Sequence, residues 1–490
     1  MSSNYRDQWA SVGGYFPSHW HFLKLEELLE NAKGIAVGVM YPGDHTAKGI
    51  PLIKVGDVKD GYIASQPSFF ISPEVDEEYK RTRLHGTELL ITLVGNPGDC
   101  VVVEPHMAGW NAARALAVVR LKDISLREWL RYILLSKPAK HLIDARLNTT
   151  VQKTLNLKDI RELGIPIPPK HERDTIIKNV SSIERKKIVS SDINQTLEKM
   201  AQALFKSWFV DFEPVKAKAA VLEAGGSQED AMLAAMTAIS GKDADALAVF
   251  EREHPEQYTE LKSTADLFPS AMQDSELISI PDGWERGHVV DVTEKIFSGG
   301  TPTTTKPEYW GGDNNWFSSG ETRNAFIINT EKRITSLGIK QSSTKKSILG
   351  DVLIASAGQG HTRGQTSLNM IDTYINQSVV AVRPKNKKMI AWLFLNLRSR
   401  YDEMRAISDS HSSRGSLTTK LISGMPIIIP DDRILKKFEN STFPLFNFIG
   451  HKLSEIESLA KLRDTLLPKL LSGEITLPEV EQAIGEVENV

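Results

Sequence analysis

Two long runs that are nearly free of proline and glycine constrain this chain more than any other feature. The first begins after Pro168 and Pro169 and ends at Pro214. Paired prolines suit the first turn of a helix, and a helix of that length extends about 60 Å at 1.5 Å per residue. Its apolar residues recur at spacings of three and four, as in a helix packed along another helix: Ile176, Val180, Ile183, Leu197, Ala201, Leu204 and Trp208.

Polar residues interrupt this apolar seam midway, at Lys187, Ser190 and Asn194. Polar residues in a helix–helix seam cost stability but fix the register, so the seam is predicted to specify one partner. Taken alone, the run would also suit an ordinary helix of a helical bundle.

The same order returns about 260 residues later, where Pro430 precedes a proline-poor run that ends at Gly473. Pro444 lies inside this run and is expected to kink the helix or delay its start. Two helices of matched length are natural partners for each other. The second seam reads Phe438, Thr442, Leu445, Ile449, Lys452, Ile456, Leu459, Arg463, Leu466 and Leu470.

The segments before the two runs also match, which indicates a tandem duplication. Residues 89–95 correspond to 352–358, residues 117–120 correspond to 380–383, and Trp129 corresponds to Trp392, all at one offset of 263 residues. Trp20 likewise corresponds to Trp284. The repeating unit is therefore predicted to be a mixed globular domain followed by a long helix. Short strands are predicted over 51–58, 89–94, 100–104 and 115–121, with one amphipathic helix over 126–136.

These boundaries divide the chain into six segments. We predict a first globular domain over 1–169, a long helix over 170–215 and an acidic helical insert over 216–280. A second globular domain follows over 281–430, then a second long helix over 431–475 and an acidic tail over 476–490. The insert has no counterpart in the other half, and its role is left unassigned.

Composition excludes several classes of protein. A chain of 490 residues is too long for a single core, and its 41% hydrophobic and 25% charged residues are ordinary for a soluble globular protein. The single cysteine excludes an internal disulfide. No apolar run is long enough to span a bilayer, and the N-terminus lacks the apolar core of a signal peptide, so a cytoplasmic location is expected.

The net charge of −3 hides a segregated distribution. Residues 216–276 hold 5 Lys or Arg against 12 Asp or Glu, and residues 474–490 hold 5 Glu and no base. The remainder is therefore basic, and local excess decides affinity for phosphates. Between Arg323 and Gln365 there are 7 Lys or Arg against 2 acids, interleaved with hydroxyl and amide side chains of the kind that contact phosphates and base edges.

Candidate DNA-contacting residues follow from these loops, although for many of them a solvated loop or a plain turn is an equally good interpretation. In the first domain they are Arg81, Arg83, Asn111, Arg114, Thr149, Thr150, Gln152 and Lys153. In the second domain they are Thr303, Lys306, Tyr309, Trp316, Ser319, Arg323, Lys345, Lys346, Gln359, Arg363, Gln377, Ser412 and Arg414. Residues 358–364 are glycine-rich but lack the lysine and the strand–helix context of a phosphate-binding loop.

Catalytic motifs are not found. There is no GxxxxGK[ST], no HExxH and no GxSxG, and the His residues are scattered. A binding subunit is therefore favoured. Two alternatives stay open: a methyltransferase or nuclease with divergent motifs fused to recognition domains, and a scaffold protein built on the long helices.

Several strings resemble one family, the specificity subunits of Type I restriction–modification systems. They are the proline-rich boundaries at 163–169 and 425–430, the string LFKSWFVDFEPVKAK at 204–218, LRDTLLPKLLSGEI at 462–475, the 298–316 run and INQSVVAVRP at 375–384. The resemblance covers nearly the whole chain. The acidic insert and the first domain match it least well.

The resemblance implies an α+β chain with two mixed α/β target-recognition domains, separated by an antiparallel coiled coil of the two long helices in a pseudo-two-fold tandem repeat. Each domain would read half of a split, asymmetric double-stranded DNA target, with no catalysis in this chain and no membrane. Its partners would be two methyltransferase subunits, which use S-adenosylmethionine, and motor–nuclease subunits, which use ATP and Mg²⁺.

The residues expected at the interfaces with these subunits are Met200, Leu204, Phe205, Trp208, Phe209, Leu459, Leu466 and Leu470. For Phe205, Trp208 and Phe209, the partner helix and a methyltransferase subunit are equally good candidates for the surface that they face.

Overall fold

A computed structural model describes residues 2–59, 61–63, 67–147, 153–273, 279–358, 360–411 and 416–475. These residues form two compact units. The first unit comprises the described residues of Met1–Lys186 and Ser458–Val490, and the second comprises those of Lys187–Glu457. Among the described residues no helix is long and apolar enough to cross a membrane.

The first unit mixes short strands with helices. Its strands are β1 His21–Lys24, β2 Ile35–Val37, β3 Ile50–Ile53, β4 Val58–Lys59, β5 Tyr62–Ile63, β6 Phe70–Ile71, β7 Leu89–Thr92, β8 Cys100–Val102, β9 Asn111–Ala112, β10 Leu116–Val119 and β11 Gly164–Ile167. Its helices are α1 Ser2–Ala10, α2 Leu25–Leu28, α3 Pro73–Glu78, α4 Arg127–Leu135, α5 Lys137–Asp144, α6 Leu157–Arg161 and the first part of α7 Lys170–Phe209.

The second unit has the same mixed character with longer strands. Its helices are the rest of α7, α8 Glu213–Glu223, α9 Gln228–Ser240, α10 Ala244–Glu253, α11 Pro255–Asp266, α12 Ser336–Lys340, α13 Ile390–Ser399, α14 Tyr401–His411, α15 Thr419–Ser423 and most of α16 Asp432–Ser472. Its strands are β12 Met272–Gln273, β13 Ile280–Pro281, β14 Glu285–His288, β15 Thr293–Ser298, β16 Trp310–Phe317, β17 Phe326–Ile327, β18 Lys332–Ile334, β19 Lys345–Ser347, β20 Val352–Ala355, β21 Thr366–Asn369, β22 Thr373–Ile375, β23 Val379–Pro384 and β24 Pro426–Ile429.

The tandem duplication is confirmed by the register of the two central sheets. The first unit orders its strands β2-β10-β7-β8, and the second orders them β15-β23-β20-β21-β17. Leu89 pairs with Val119 in the first sheet, and Val352 pairs with Val382 in the second. The two residues of the second pair each lie 263 positions after those of the first pair, so the two copies of the repeat share the same strand register.

A second, smaller sheet is also duplicated and leads into each long helix. β1 pairs antiparallel with β11, and β14 pairs antiparallel with β24. The proline-punctuated segments predicted before the helices are thus the strands β11 and β24. Because proline lacks an N–H donor, a two-stranded sheet with an open edge tolerates it.

Both predicted long helices are present, with 40 residues in α7 and 41 in α16. Helix α16 begins at Asp432, so Pro444 does not delay its start. Helix α7 ends before Phe212, whose φ of 55° lies in the left-handed region. That conformation is unfavourable for a bulky residue, and burial of the Phe212 ring against Trp284 offsets its cost.

The two helices pair antiparallel within each unit. In the first unit, Ile176 and Ile183 share a core with Leu459 and Leu470. In the second unit, the hydroxyl of Ser190 donates a hydrogen bond of 3.0 Å to Glu455 Oε2. The early part of one helix therefore meets the late part of the other, and the buried Ser190 contributes a polar contact to the seam as predicted.

The acidic insert is helical, as expected from its sequence. It consists of α8, α9, α10 and α11, and a small core of Ala235, Met236, Leu247 and Ala265 joins the last three.

Candidate nucleic-acid interface

One row of side chains crosses the four-stranded sheet β18-β16-β22-β19 of the second unit. Lys332 pairs with Trp316, Trp316 pairs with Tyr374, and Tyr374 pairs with Lys346. Residues paired in this way point to the same face of a sheet. Two exposed lysines therefore stand at the two edges of one face, about 14 Å apart at ~4.8 Å per strand. That spacing is close to the ~12 Å width of the DNA major groove.

The predicted pair Lys345 and Lys346 is divided between the two faces of β19, because successive residues of a strand point in opposite directions. Both side chains are exposed. The ammonium of Lys346 lies 2.7 Å from Asp372 Oδ2, and this hydrogen bond raises the pKa of Lys346 above its ordinary value. Lys346 therefore shares the face of Trp316 and Tyr374, and Lys345 does not.

The 298–310 loop folds back over this face through its aromatic residues. The indole N–H of Trp316 donates to Gly300 O at 3.3 Å, and the Trp310 ring meets the Trp316 ring edge-on at 5.0 Å. Tyr309 and Trp316 are buried, so they anchor the loop and do not offer a free contact surface. Thr303 and Lys306 are exposed, with Lys306 Nζ at 3.1 Å from the Tyr309 hydroxyl.

The remaining candidate residues of the second unit differ in their exposure and in the protein groups that they already contact. Arg323 pairs with Glu331 on the surface, and Arg363 pairs with Asp409 with its side chain 11% exposed. Gln377 is exposed and accepts a hydrogen bond from Thr301, and Ser319 is half-buried. Gln359, Ser412 and Arg414 lie outside the described residues.

In the first unit the structure argues against two candidates. Asn111 is fully buried, and its amide donates to Asp76 Oδ1 at 3.0 Å while its carbonyl accepts from the Thr82 hydroxyl at 2.9 Å. A side chain without exposed surface cannot contact a duplex, so its role is to order this loop. Arg83 is held by Asp76 and Glu77, which neutralise its charge and raise its pKa.

The other candidates of the first unit stay on the surface. Arg81 and Arg114 are exposed, and Lys153 is exposed with its ammonium 3.8 Å from Asp144. Thr149, Thr150 and Gln152 lie outside the described residues. The two units therefore present different cations on a duplicated framework.

Sequence reasoning missed a buried ion pair that each unit repeats. Arg383 binds Asp351 with two hydrogen bonds of 2.8 Å, and Arg120 Nε lies 3.3 Å from Glu88 Oε1. Both carboxylates are at most 1% exposed. The offset is again 263 residues, and this offset was the one signal in the sequence that could have revealed the pair.

Most of the predicted interface residues are interior. Phe205, Trp208 and Phe209 surround the Phe438 ring of α16, at centroid distances of 6.3, 5.7 and 4.9 Å. This settles the open alternative, because the three rings face the partner helix in the core of the second unit. Leu459, Leu466 and Leu470 are likewise buried in the core of the first unit, and Leu204 is partly buried. Of the eight, only Met200, 54% exposed, remains free for a subunit contact.

The described residues contain no group of three or more His, Cys, Asp or Glu placed to hold a metal ion.

The family model of the Type I restriction modification DNA specificity domain matches residues 17–199 and 281–458. The chain belongs to this family. Two copies of the domain are matched, and the boundaries of both fall near those of the sequence repeat.

Relatives among the Type I specificity subunits agree with this assignment. The Type I restriction enzyme HindI specificity subunit of Haemophilus influenzae is 31% identical over 365 residues, covering 72% of this chain and 78% of its own. The EcoBI specificity subunit of Escherichia coli is 30% identical over 168 residues, covering 34% of this chain and 35% of its own. DNA-sequence specificity is thus the role of this chain, and a divergent enzyme or a scaffold protein is not supported.

A solved structure shares the fold. The S subunit of a Type I restriction-modification system from M. genitalium superposes with a TM-score of 0.52 and 14% identity, covering 92% of this chain and 96% of its own. The predicted fold class, two mixed domains with two long helices, is therefore confirmed. The 200–280 segment, which includes the acidic helices, lies outside both family-model matches.

Proposed function

We propose that the two units of this specificity subunit read the two halves of a split, asymmetric DNA target. The observation that carries the proposal is a shared framework with different surfaces. The pairing of β7 with β10 is repeated by β20 with β23 at one offset, whereas the exposed cations differ between the units. Because the two units share one strand framework, they can be placed on a duplex in the same way. Because their exposed side chains differ, they can recognise different bases.

The paired long helices are the proposed spacer between half-sites. A spacer of fixed length gives half-sites a fixed gap, because both domains must meet one duplex on compatible faces. Two methyltransferase subunits that use S-adenosylmethionine, and motor–nuclease subunits that use ATP and Mg²⁺, would assemble around this chain. It would contribute recognition without catalysis. Such an assembly acts where the chromosome is, so we place it in the cytoplasm.

Selection from random duplexes tests this proposal. The chain, purified together with its methyltransferase partner, is expected to enrich two short and different half-sites at one fixed gap. Substitution of exposed polar candidates of the second unit, such as Thr303 and Gln377, should alter only one of the two half-sites. Enrichment of a single contiguous motif, or of none, would reject the reading of a split target.

Alanine at Lys346 is expected to weaken binding to all sequences, because a lysine at the sheet edge contacts phosphate without reading a base. The slope of log K against log salt should fall by about 0.9, the value for one phosphate contact. Lys345→Ala is the matched comparison, since Lys345 lies on the same strand and points to the other face. Fluorescence anisotropy between 50 and 200 mM salt measures both slopes. Equal slopes for Lys346→Ala and the wild type would remove this face from the interface.

A further inference from the structure

One tight turn is repeated in the two units, between β9 and β10 in the first and between β22 and β23 in the second. In each turn the N–H of the fourth residue donates to the carbonyl of the first, at 2.9 Å over residues 113–116 and at 3.4 Å over residues 376–379. The two turns are related by the offset of 263 residues. Arg114 and Gln377 therefore occupy the same position of the same turn.

A second loop approaches this turn in each unit, and a glycine begins it. A Cβ placed at Gly38 would lie 2.1 Å from the backbone oxygen of Ala112, and a Cβ at Gly299 would lie 1.9 Å from that of Ile375. Only glycine permits so close an approach. Ala112 and Ile375 directly precede the two turns and are again 263 positions apart, so Gly38 and Gly299 are equivalent.

The residues two positions after these glycines, Met40 and Thr301, lie beside the turn residues. In the first unit, the residues just before Met40 and Arg114 pair in a parallel bridge, so these two side chains leave the bridge side by side. In the second unit, the Thr301 hydroxyl donates a hydrogen bond to Gln377 Oε1. The repeat therefore brings together one equivalent pair of side chains in each unit, Met40 with Arg114 and Thr301 with Gln377.

Both turn residues are accessible to a duplex. Arg114 and Gln377 are exposed, and no described carboxylate forms an ion pair with Arg114. The amide oxygen of Gln377 has two lone pairs, so it can accept a second hydrogen bond while Thr301 uses the first. Gln377 also follows β22 directly, the strand that carries Tyr374 in the row between the two exposed lysines of the candidate interface.

We infer that this turn position reads one base pair in each half-site, guanine through Arg114 and adenine through Gln377. The two parallel N–H groups of a guanidinium match the O6 and N7 acceptors of guanine in the major groove. A glutamine amide instead donates to N7 of adenine and accepts from its N6 amino group. The inference rests on the proposed function, which supplies the split target, and it assigns one specificity-determining residue to each unit.

Exchange of the two pairs tests the inference. The 490-residue chain is purified with its methyltransferase partner, and random duplexes that it binds are selected and sequenced. Gln377→Arg is expected to replace one adenine by guanine in one half-site and to leave the other half-site unchanged. Arg114→Gln combined with Met40→Thr is expected to replace one guanine by adenine in the other half-site. Each new base should be preferred at least about five-fold over the original one.

Matched controls separate base reading from the change of charge. Arg185→Gln in α7 and Gln341→Arg after α12 make the same substitutions at exposed positions of the same two units. They are expected to leave every base preference unchanged, because a charge away from the base edges acts on all sequences alike. Melting temperatures equal to that of the wild type would show that the exchange variants are folded.

The outcomes distinguish this inference from the proposed function. A wild type that selects a split target, with exchange variants that retain its bases, would overturn the inference and leave the proposed function intact. The same base changes in the control variants would also overturn the inference, because charge alone would then explain them. A wild type that selects no split target would overturn both.

Discussion

Arg131→Met is expected to lower the free energy of unfolding of the first unit by about 3 kcal/mol, the lower end of the usual cost of removing one partner of a buried ion pair. Arg131 forms an ion pair with Glu184 of α7, and both side chains are 3% exposed. Glu184 Oε2 also accepts hydrogen bonds from the hydroxyls of Tyr62 and Tyr132, at 2.7 and 3.1 Å. Arg463 of α16 forms a longer ion pair with Glu184 Oε1, at 3.6 Å, and this pair remains in the variant.

The pH dependence of the stability lost in Arg131→Met shows whether the ionised carboxylate of Glu184 causes that loss. Burial is the largest single influence on Glu184 and opposes its ionisation, but the charge and hydrogen bond of Arg131, together with Tyr62 and Arg463, outweigh burial and hold the pKa of Glu184 below its ordinary value. A carboxylate with a lowered native pKa stabilises the fold above its unfolded pKa of about 4.3, and that contribution is lost as the pH falls through the native pKa. Without Arg131, burial should raise the pKa of Glu184, so the difference between variant and wild type should shrink from pH 7 toward pH 4.

Two controls separate this charge effect from general damage to the fold. Glu128 also contacts Arg131, at 2.9 Å, but is 36% exposed, so Glu128→Gln should cost less than about 1 kcal/mol. Arg131→Met combined with Glu184→Met should recover part of the lost stability, because the buried carboxylate that has lost its main partner is gone. Hydrogen–deuterium exchange followed by mass spectrometry measures the first unit separately from the second. A loss under about 1 kcal/mol in Arg131→Met would refute the role assigned to this ion pair.

The framework of this chain could be predicted because its signals are local or periodic. A run without proline or glycine is enough to indicate α7, and the short apolar run at 352–355 is enough to indicate β20. The duplication also indicated which strands pair, because one offset of 263 residues relates both strands of a pair in the first sheet to both strands of a pair in the second. The sequence of a single strand does not show its partner strand, whereas its position in the repeat does.

The contact residues were harder to predict, because sequence does not show which polar groups are used inside the fold. Asn111 and Lys153 both follow the polar pattern of a contact loop, yet only Lys153 is exposed. The Glu184 network joins residues that lie up to 401 positions apart, from Tyr62 to Arg463, so no local pattern announces it. The aromatic residues of 205–209 satisfied both the core and the interface interpretation until Phe438 was found among them.

Insertion of seven residues into each long helix is expected to lengthen the preferred gap between half-sites by about three base pairs. Seven residues add about 10 Å at 1.5 Å per residue, and B-DNA rises 3.4 Å per base pair. A heptad also keeps the apolar seam on one face, so the helices can pair as before. Suitable positions follow Lys186 in α7 and Glu457 in α16, where each helix passes from one unit into the other.

Affinity for the original target should fall at least about 100-fold in this variant, since one half-site no longer meets its reader and each lost base pair costs about 1–3 kcal/mol. The same seven residues inserted between Gly225 and Gly226, which join α8 and α9, provide the control and should leave the gap unchanged. Selection from duplexes with gaps of every length measures both outcomes. If the lengthened helices kept the original gap, the paired helices would not set the spacing, and the separation of the half-sites would have to arise from the DNA-contacting loops.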